Sequence, residues 1–463
     1  MMKGIDQMAL SMASWGEVLW LQNYTTRLVV LAMVLLGAAS GAVGGFLLLR
    51  KRSLMGDALS HATLPGIGIA FALMVVMGGT GKHLGGLLLG ATLAGLVGVA
   101  VMLVVRQTTR LGDDAAMGLV LSVFFGLGVV VMRMVTDMPG ASAAGLQSFI
   151  YGTPASMVKV DAQAIAAVAG VVLLVAVMMI KELTVLCFDE DYARAQGWPV
   201  RGLDVLLLVM VTLVTVVGLQ AVGLILMIAL LITPAAAARF WTNALKPMIV
   251  LAAVIGAMSG YVGVMVSALL PKMPAGAVIV LAASTIFFLS LIFAPARGVL
   301  ARVWRQRVLQ GKVARQHLLR AMYELLESEK PEAGDVVANH PLEVASLLAM
   351  RSWTRRELEH TIRRCRARGD LEDEIWGPQI CLSESGFGEA ARITRNHRLW
   401  EVYLVEHADV APNHVDRDAD MVEHVLDAAL VRSLEEVLQK DQSWVPMPQS
   451  MHGTKSAQPH RDS

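Results

Sequence analysis

Arg50-Lys51-Arg52-Ser53-Leu54-Met55-Gly56-Asp57-Ala58-Leu59-Ser60-His61-Ala62-Thr63-Leu64-Pro65-Gly66 leads from one apolar run, Leu28–Leu49, into another, Ala62–Gly81. At 1.5 Å of rise per helical residue, each run is long enough to cross about 30 Å of hydrocarbon. The same test applied outward finds Leu84–Val105, Ala115–Met132, Ala162–Ile180, Val205–Ala238, Pro247–Pro271 and Met273–Ala296. Val205–Ala238 is too long for one helix and is flanked by Arg201 and Arg239. If both arginines lie in the cytosol, the run crosses twice, with a turn near Gly218–Gly223. The expectation is an all-α polytopic membrane domain of nine crossings, with eight as the alternative.

Composition agrees with that class. Of 463 residues, 55% are hydrophobic and 17% charged, against about 25% charged in soluble proteins. The mean hydropathy is +0.58. Disorder is excluded and a wholly soluble chain is disfavoured. A formal net charge of +1 names no partner. Three widely spaced cysteines argue against a disulfide framework or a cysteine-type zinc finger. The charge is uneven, since 12 of the 38 acidic residues and 17 of the 39 basic ones precede residue 301. The first part is therefore membrane-like and the second soluble, with a junction near Ala294–Gly298 marked by Pro295 and Gly298. The basic loops Arg50–Arg52, Arg106–Arg110, Arg194–Arg201, Arg239–Lys246 and Arg297–Arg307 then fall on the cytosolic side. This places the N-terminus outside and the soluble part in the cytoplasm, for a multi-pass protein of the cell (inner) membrane. Met1–Arg27 lacks the features of a secretory signal and reads as a short interfacial helix. Small-residue clusters such as Gly37-Ala38-Ala39-Ser40-Gly41-Ala42 suit close helix packing in lipid.

Ionisable residues inside a bilayer are costly, and so are functional candidates by default. Asp57 and His61 are four residues apart and share a helix face. A carboxylate oxygen and an imidazole nitrogen one turn apart can hold a divalent transition metal, with Ser60 or Thr63 near enough for weak oxygen contacts. Pro65 removes a backbone donor and frees a carbonyl nearby, which suits the lining of a pathway. The plainer reading is a salt bridge from Asp57 to Arg50 or Arg52 at the cytosolic interface. A short polar helix is also expected over Asp189–Gln196, between two spans and ended by Gly197. Its small Ala193 and Ala195 would let a partner dock closely, although an ordinary solvated loop has the same composition. No G-x-x-x-x-G-K-[ST] occurs in the chain; the nearest stretch, Gly78-Gly79-Thr80-Gly81-Lys82-His83, lacks the first glycine and the final hydroxyl residue. ATP binding by a Walker site is thus not expected, and energy would come from a partner chain.

The Arg50–Gly66 block resembles the signature of the permease subunits of the ABC-type zinc/manganese/iron transporter family. Gly218-Leu-Gln-Ala-Val-Gly-Leu-Ile-Leu-Met-Ile-Ala-Leu-Leu-Ile-Thr-Pro-Ala-Ala-Ala-Ala238 resembles a second block of that family. Phe188-Asp-Glu-Asp-Tyr-Ala-Arg-Ala-Gln-Gly197 resembles its ATPase-contacting loop. The resemblance covers about residues 20–300. It implies that Asp57 and His61 line the path of a transported Mn, Zn or Fe ion, with no tightly bound cofactor in the permease. It also implies that Asp189, Ala193 and Gly197 belong to the loop that couples to an ATP-binding subunit. The partners it implies are that subunit, an extracytoplasmic metal-binding protein and a second permease copy in a homodimer. Not being an enzyme itself, the chain would leave hydrolysis to the partner.

The soluble part reads as helices over Leu318–Glu327, Pro341–Met350 and Thr354–Arg368, the last with Thr354 and Glu357 as a capping box and Gly369 as its stop. A hairpin over Ile375–Ser383 with Gly377-Pro378 at its tip would complete a winged-helix pattern. Arg355, Arg356, Arg363, Arg364, Arg366 and Arg368 either neutralise DNA phosphates or form a solvated face. His397 and Glu401 are i, i+4 on one helix; Asp420, Glu423 and His424 are i, i+3, i+4 on another. Two such faces together offer mixed ligands for Mn, Fe or Zn, and equally describe an ordinary charged surface.

Over about Gln316–Leu438, the His397-Arg-Leu-x-Glu401 and Glu423-His424-Val-Leu segments resemble the diphtheria-toxin-repressor family of metal-dependent regulators. The resemblance implies that His397, Glu401, Asp420, Glu423 and His424 are ligands of a regulatory divalent metal. The first-helix positions that match the family's activating side chains are His317 and Arg320, and an arginine cannot ligate. The expected organisation is a permease domain over 1–300, a linker helix and winged-helix-like domain over 301–394, a helical metal-binding and dimerisation region over 395–440, and a disordered tail over 441–463. The favoured function is the membrane subunit of an importer for a divalent transition metal, with a cytosolic domain that senses it. The rivals are a membrane-anchored, metal-dependent transcription regulator, a permease for metal chelates, and a C-terminal domain that only dimerises.

Overall fold

The structure is a computed structural model, and it describes residues 24–79, 83–136, 159–269, 274–329, 340–372, 379–407 and 432–433. The chain divides into two compact units, Met1–Arg302 and Val303–Ser463.

Every apolar run of the first unit forms a helix: α1 (Tyr24–Leu49), α2 (Met55–Val76), α3 (Leu84–Thr108), α4 (Asp113–Thr136), α5 (Lys159–Met178), α8 (Val200–Val222), α9 (Leu224–Trp241), α10 (Leu245–Leu269) and α11 (Ala275–Phe293). Two short helices, α6 (Ile180–Phe188) and α7 (Glu190–Ala195), lie between α5 and α8. Among the described residues, eight helices are long and apolar enough to cross a membrane, and the apolar part of α9, Leu226–Trp241, is shorter. The run Val205–Ala238 breaks inside the expected interval, at Gly223, whose φ of +89° is a conformation open mainly to glycine.

Hydropathy does not distinguish these helices, but burial does. In α1 and α8, 72% of the apolar window is buried, against 22% in α4 and 28% in α3, α5 and α11. α1 and α8 are thus the interior of the bundle. α1 reaches its neighbours through small residues. A methyl group at Gly37 would lie 2.2 Å from the Gly256 carbonyl oxygen of α10, and one at Gly256 would lie 2.0 Å from that of Gly37. The two backbones touch, which is the contact that small residues permit in lipid.

The second unit comprises most of α12 (Val299–Glu329), then β1 (Leu342–Glu343), α13 (Val344–Met350), α14 (Arg355–Arg366), β2 (Gln379–Ile380) and α15 (Glu384–His407). The capping box forms, with the Thr354 hydroxyl accepting from the Glu357 amide and the Glu357 side chain bonding back to Thr354. The three expected helices are present. β2 joins β1 antiparallel, Leu342 opposite Ile380. Leu371 bridges antiparallel to Leu382 and the Glu372 amide donates to the Cys381 carbonyl (3.1 Å), so the chain doubles back between them, but the first arm of the expected hairpin lies outside the described residues. This pairing places Leu342, Ile380, Leu371 and Leu382 in one buried cluster. The tip at Gly377-Pro378 lies outside the described residues, as do the tail over 441–463 and all but the end of the interfacial segment Met1–Arg27. α15 runs unbroken across residues 394 and 395, where the sequence suggested a domain boundary.

Candidate functional site

Asp57 and His61 occupy the first two turns of α2, as their spacing requires. His61 Nε2 lies 3.3 Å from Asp57 Oδ1, and their side chains are 16% and 30% exposed respectively. The other ring nitrogen of His61, Nδ1, is buried and has no hydrogen-bond partner among the described residues. The ring sits edge-on to Phe125 of α4, with centroids 4.8 Å apart. Pro65 stands inside α2. Having no N–H, it removes the intrahelical donor that the His61 carbonyl would otherwise receive. A carboxylate and an imidazole thus meet one turn apart, and the carbonyl freed by Pro65 lies on the next turn of the helix. Ser60 and Thr63 are fully buried but turn inward to their own helix, donating to the carbonyls of Gly56 (2.6 Å) and Ser60 (2.7 Å). Each hydroxyl spends its proton on the helix and keeps its oxygen lone pairs.

The salt bridge that the plainer reading assigned to Asp57 goes elsewhere. Arg52 Nη1 donates to Asp204 of α8 (2.7 Å) and Arg52 Nε to Asp113 of α4 (2.8 Å). Arg50 pairs with Glu190 of α7, donates to the Leu186 carbonyl of α6 (2.7 Å) and lies 3.2 Å from Asp204. Arg106, at the end of α3, joins Asp113 (3.0 Å) and Asp204 (3.2 Å). Three arginines and three carboxylates thus tie the α1–α2 loop to α3, α4, α7 and α8 at one end of the bundle. Burial works to lower the Arg52 pKa, but the charges of Asp204 and Asp113 outweigh it, so it is raised. Burial likewise works to raise the Glu190 pKa and is outweighed by Arg50, which leaves it lowered. Arg52 and Glu190 are therefore held charged. Each residue is visible in the sequence, yet nothing in its spacing announces a network.

In the loop between α6 and α8, Asp189 is the N-cap of α7, accepting from the Tyr192 amide (2.8 Å), and Gly197 follows the helix at φ +81°. Ala193 is not a docking residue in this geometry: at 1% exposure it faces the bundle, and its small size serves that packing. The side chains offered outward include Asp191, Arg194, Ala195 and Gln196 together with three aromatic ones, Phe188, Tyr192 and Trp198, at 67%, 53% and 38% exposure. Aromatic residues in a polar loop were the signal that spacing arguments passed over, since exposed aromatic groups anchor protein interfaces.

In the second unit, His397 and Glu401 are buried on α15, with Nε2 3.1 Å from Glu401 Oε1. Arg320 of α12 lies against the other face of the ring, Nη1 2.6 Å from His397 Nδ1. His317 Nδ1 is 2.7 Å from Arg351 Nη1. No group of three or more His, Cys, Asp or Glu side chains able to hold a metal occurs among the described residues. Asp420, Glu423 and His424 lie outside them. On α14, Arg355, Arg356, Arg363 and Arg364 are exposed and Arg366 is half-buried; Arg368, just past the helix, is exposed too, and both a solvated face and a phosphate-binding face would look so.

Comparison with known proteins covers both units. The family model described as the ABC 3 transport family matches residues 22–294. That described as the iron dependent repressor, metal binding and dimerisation domain matches residues 383–443. The chain is 36% identical over 405 residues to the manganese transport system membrane protein MntC of Bacillus subtilis, covering 87% of this chain and 89% of that protein. An alignment of that length extends well into the second unit. The zinc transport system membrane protein TroC of Treponema pallidum is 46% identical over 285 residues, 62% of this chain and 94% of that one. Among solved structures, PsaBC from Streptococcus pneumoniae in complex with Fab aligns with a TM-score of 0.53 at 32% identity, covering 62% of this chain and 97% of that chain.

Proposed function

This chain belongs to the ABC 3 transport family, and on that premise we propose that it is the membrane subunit of an importer for a divalent transition metal, with Asp57 and His61 as the ligands in the ion's path. The observation that carries the reading is His61, whose Nε2 stands 3.3 Å from the Asp57 carboxylate while its buried Nδ1 has no hydrogen-bond partner among the described residues. A relative that names manganese and another that names zinc support the substrate class. Oxygen and nitrogen donors suit Mn, Zn and Fe alike. One chain supplies one carboxylate and one imidazole, too few for the usual four to six ligands. A second copy across a homodimer axis would complete the set.

The charged knot supports the coupling part of the reading. An ATP-binding partner docked on Phe188, Tyr192 and Trp198 would move α6 and α7. Arg50 ties both of those to the loop that leads directly into Asp57. With an extracytoplasmic metal-binding protein as donor, the N-terminus lies outside and the second unit in the cytoplasm. In proteoliposomes containing the permease and its ATPase subunit, Tyr192→Ala combined with Trp198→Ala is expected to cut ATP-driven metal uptake at least tenfold. The same pair should leave metal binding by the permease unchanged. Full uptake in that double variant overturns the docking assignment.

The second unit is proposed to bias the cycle, in keeping with a family model that names metal binding and dimerisation. Cytosolic metal would act through Asp420, Glu423 and His424, binding one transport state better than the other. Glu423→Ala or His424→Ala should retain uptake at low metal and lose inhibition when internal metal is high. Uptake by these variants that still shuts off at high internal metal removes the sensor.

A further inference from the structure

The His397–Glu401 pair of the second unit has the spacing of a metal site and the burial of a core. Both side chains are essentially inaccessible, at 1% and 0% exposure. A neutral imidazole has one lone pair, on whichever nitrogen lacks the proton. Here Arg320 Nη1 donates to Nδ1 at 2.6 Å. A guanidinium has donors only and does not lose its charge in proteins. Nδ1 must therefore be the acceptor, and the proton sits on Nε2, which donates to Glu401 Oε1 at 3.1 Å. Neither ring nitrogen keeps a lone pair for a metal. Arg320 is itself 1% exposed, and its Nε lies 3.2 Å from Glu324, one turn along α12. The cation is thus flanked by a carboxylate of its own helix and a histidine–carboxylate pair of α15. Next to His397 on α15, Arg398 Nη1 donates at 3.1 Å to Glu327, about two turns beyond Arg320 on α12.

We propose that the Arg320 guanidinium is the permanent cation of this site, occupying the place of a divalent metal on His397 and clamping α12 to α15 without one. The residues present do not fit a metal there. A second, doubly charged ion would have to displace a buried guanidinium from His397, and the two cations would repel at short range in a poorly screened interior. The α12–α15 junction is consequently set whether metal is scarce or plentiful. Any sensing by this unit is left to Asp420, Glu423 and His424. The inference does not depend on the transport reading, because it concerns a different ion site in a different unit.

The test uses the full-length protein in detergent, with Asp57→Ala and His61→Ala in the background so that the path does not contribute. Equilibrium dialysis against Mn(II), and separately Zn(II), is compared between this background and the same protein carrying His397→Ala. The expected result is an unchanged number of bound ions and an unchanged Kd. Loss of a bound ion, or a Kd weakened tenfold or more by His397→Ala, overturns the proposal. Arg320→Glu makes the complementary case, since it replaces the built-in cation with a third carboxylate beside His397, Glu401 and Glu324. That variant is expected to bind one additional Mn(II) per chain and to melt at a higher temperature with Mn(II) than with chelator. The unsubstituted Arg320 protein should show no such dependence at this site. If Arg320→Glu fails to fold with or without metal, the dialysis of the His397→Ala pair alone decides.

Discussion

Alanine at either Asp57 or His61 is expected to reduce metal uptake by more than about a hundredfold at an unchanged level of protein in the membrane. Losing an outer partner of a metal ligand already costs about 10–100-fold in affinity, so the loss of a ligand sets that figure as a floor. α2 carries no other acidic residue, histidine or cysteine. Ser60 and Thr63 offer only neutral hydroxyl oxygens, weaker donors than a carboxylate or an imidazole. Arg50 and Arg52, of the wrong sign for a cation, are held by Asp113, Glu190 and Asp204. The measurement is initial-rate uptake of labelled Mn(II) or Zn(II) into cells lacking their own importer, with Asp57→Asn added to separate charge from shape. Asparagine keeps an oxygen but no negative charge and should lie between wild type and alanine. Unchanged uptake in the alanine variants would remove these residues from the path, and would equally favour a chelated substrate that offers the site no bare cation.

The second large effect lies in the charged knot. Asp204→Ala is expected to destabilise the first unit by about 3–5 kcal/mol, the usual cost of removing one partner from a buried ion pair. Asp204 receives Arg52 at 2.7 Å, with Arg50 and Arg106 at 3.2 Å, and its side chain is 8% exposed. Without it, three guanidinium groups share Asp113 and Glu190, two of them, Arg50 and Arg52, held out of water. Thermal unfolding in detergent reads the loss directly. Arg106→Ala, at a site 30% exposed, should cost much less, because water can solvate what is left. Pairing Asp204→Leu with Arg52→Met should recover part of the loss, since an apolar pair leaves no orphaned charge at that contact. An Asp204→Ala protein that melts like the wild type would mean the knot is held by solvent rather than by this carboxylate.

The helices of the first unit were legible because hydropathy and length report directly on whether a segment can lie in hydrocarbon. Asp57 and His61 were legible for the same reason, as polar exceptions at helical spacing. The docking loop was legible only in outline. Asp189 and Gly197 bound α7 as expected, but Ala193 points inward, and the outward face mixes Asp191, Arg194 and Ala195 with the aromatic Tyr192 and Trp198. A six-residue helix does not reveal from composition which side its bundle will take. In the second unit, the capping box and helix limits are local and were readable. The partner of β2 is not local, because Ile380 meets Leu342 across almost forty residues of chain.

What the sequence by itself determined is therefore the membrane-spanning class, the break of the longest run at Gly223, and an acid and an imidazole one turn apart on α2. These rest on free energies of transfer and on helical periodicity, both properties of short segments. The tertiary structure alone decided that α1 and α8 form the interior, that Arg50 and Arg52 bypass Asp57 for carboxylates far along the chain, and that Arg320 caps His397. Helices that are apolar all round carry no mark of which face will be covered. A charge, whose attraction acts through space, chooses its partner only once the chain has folded.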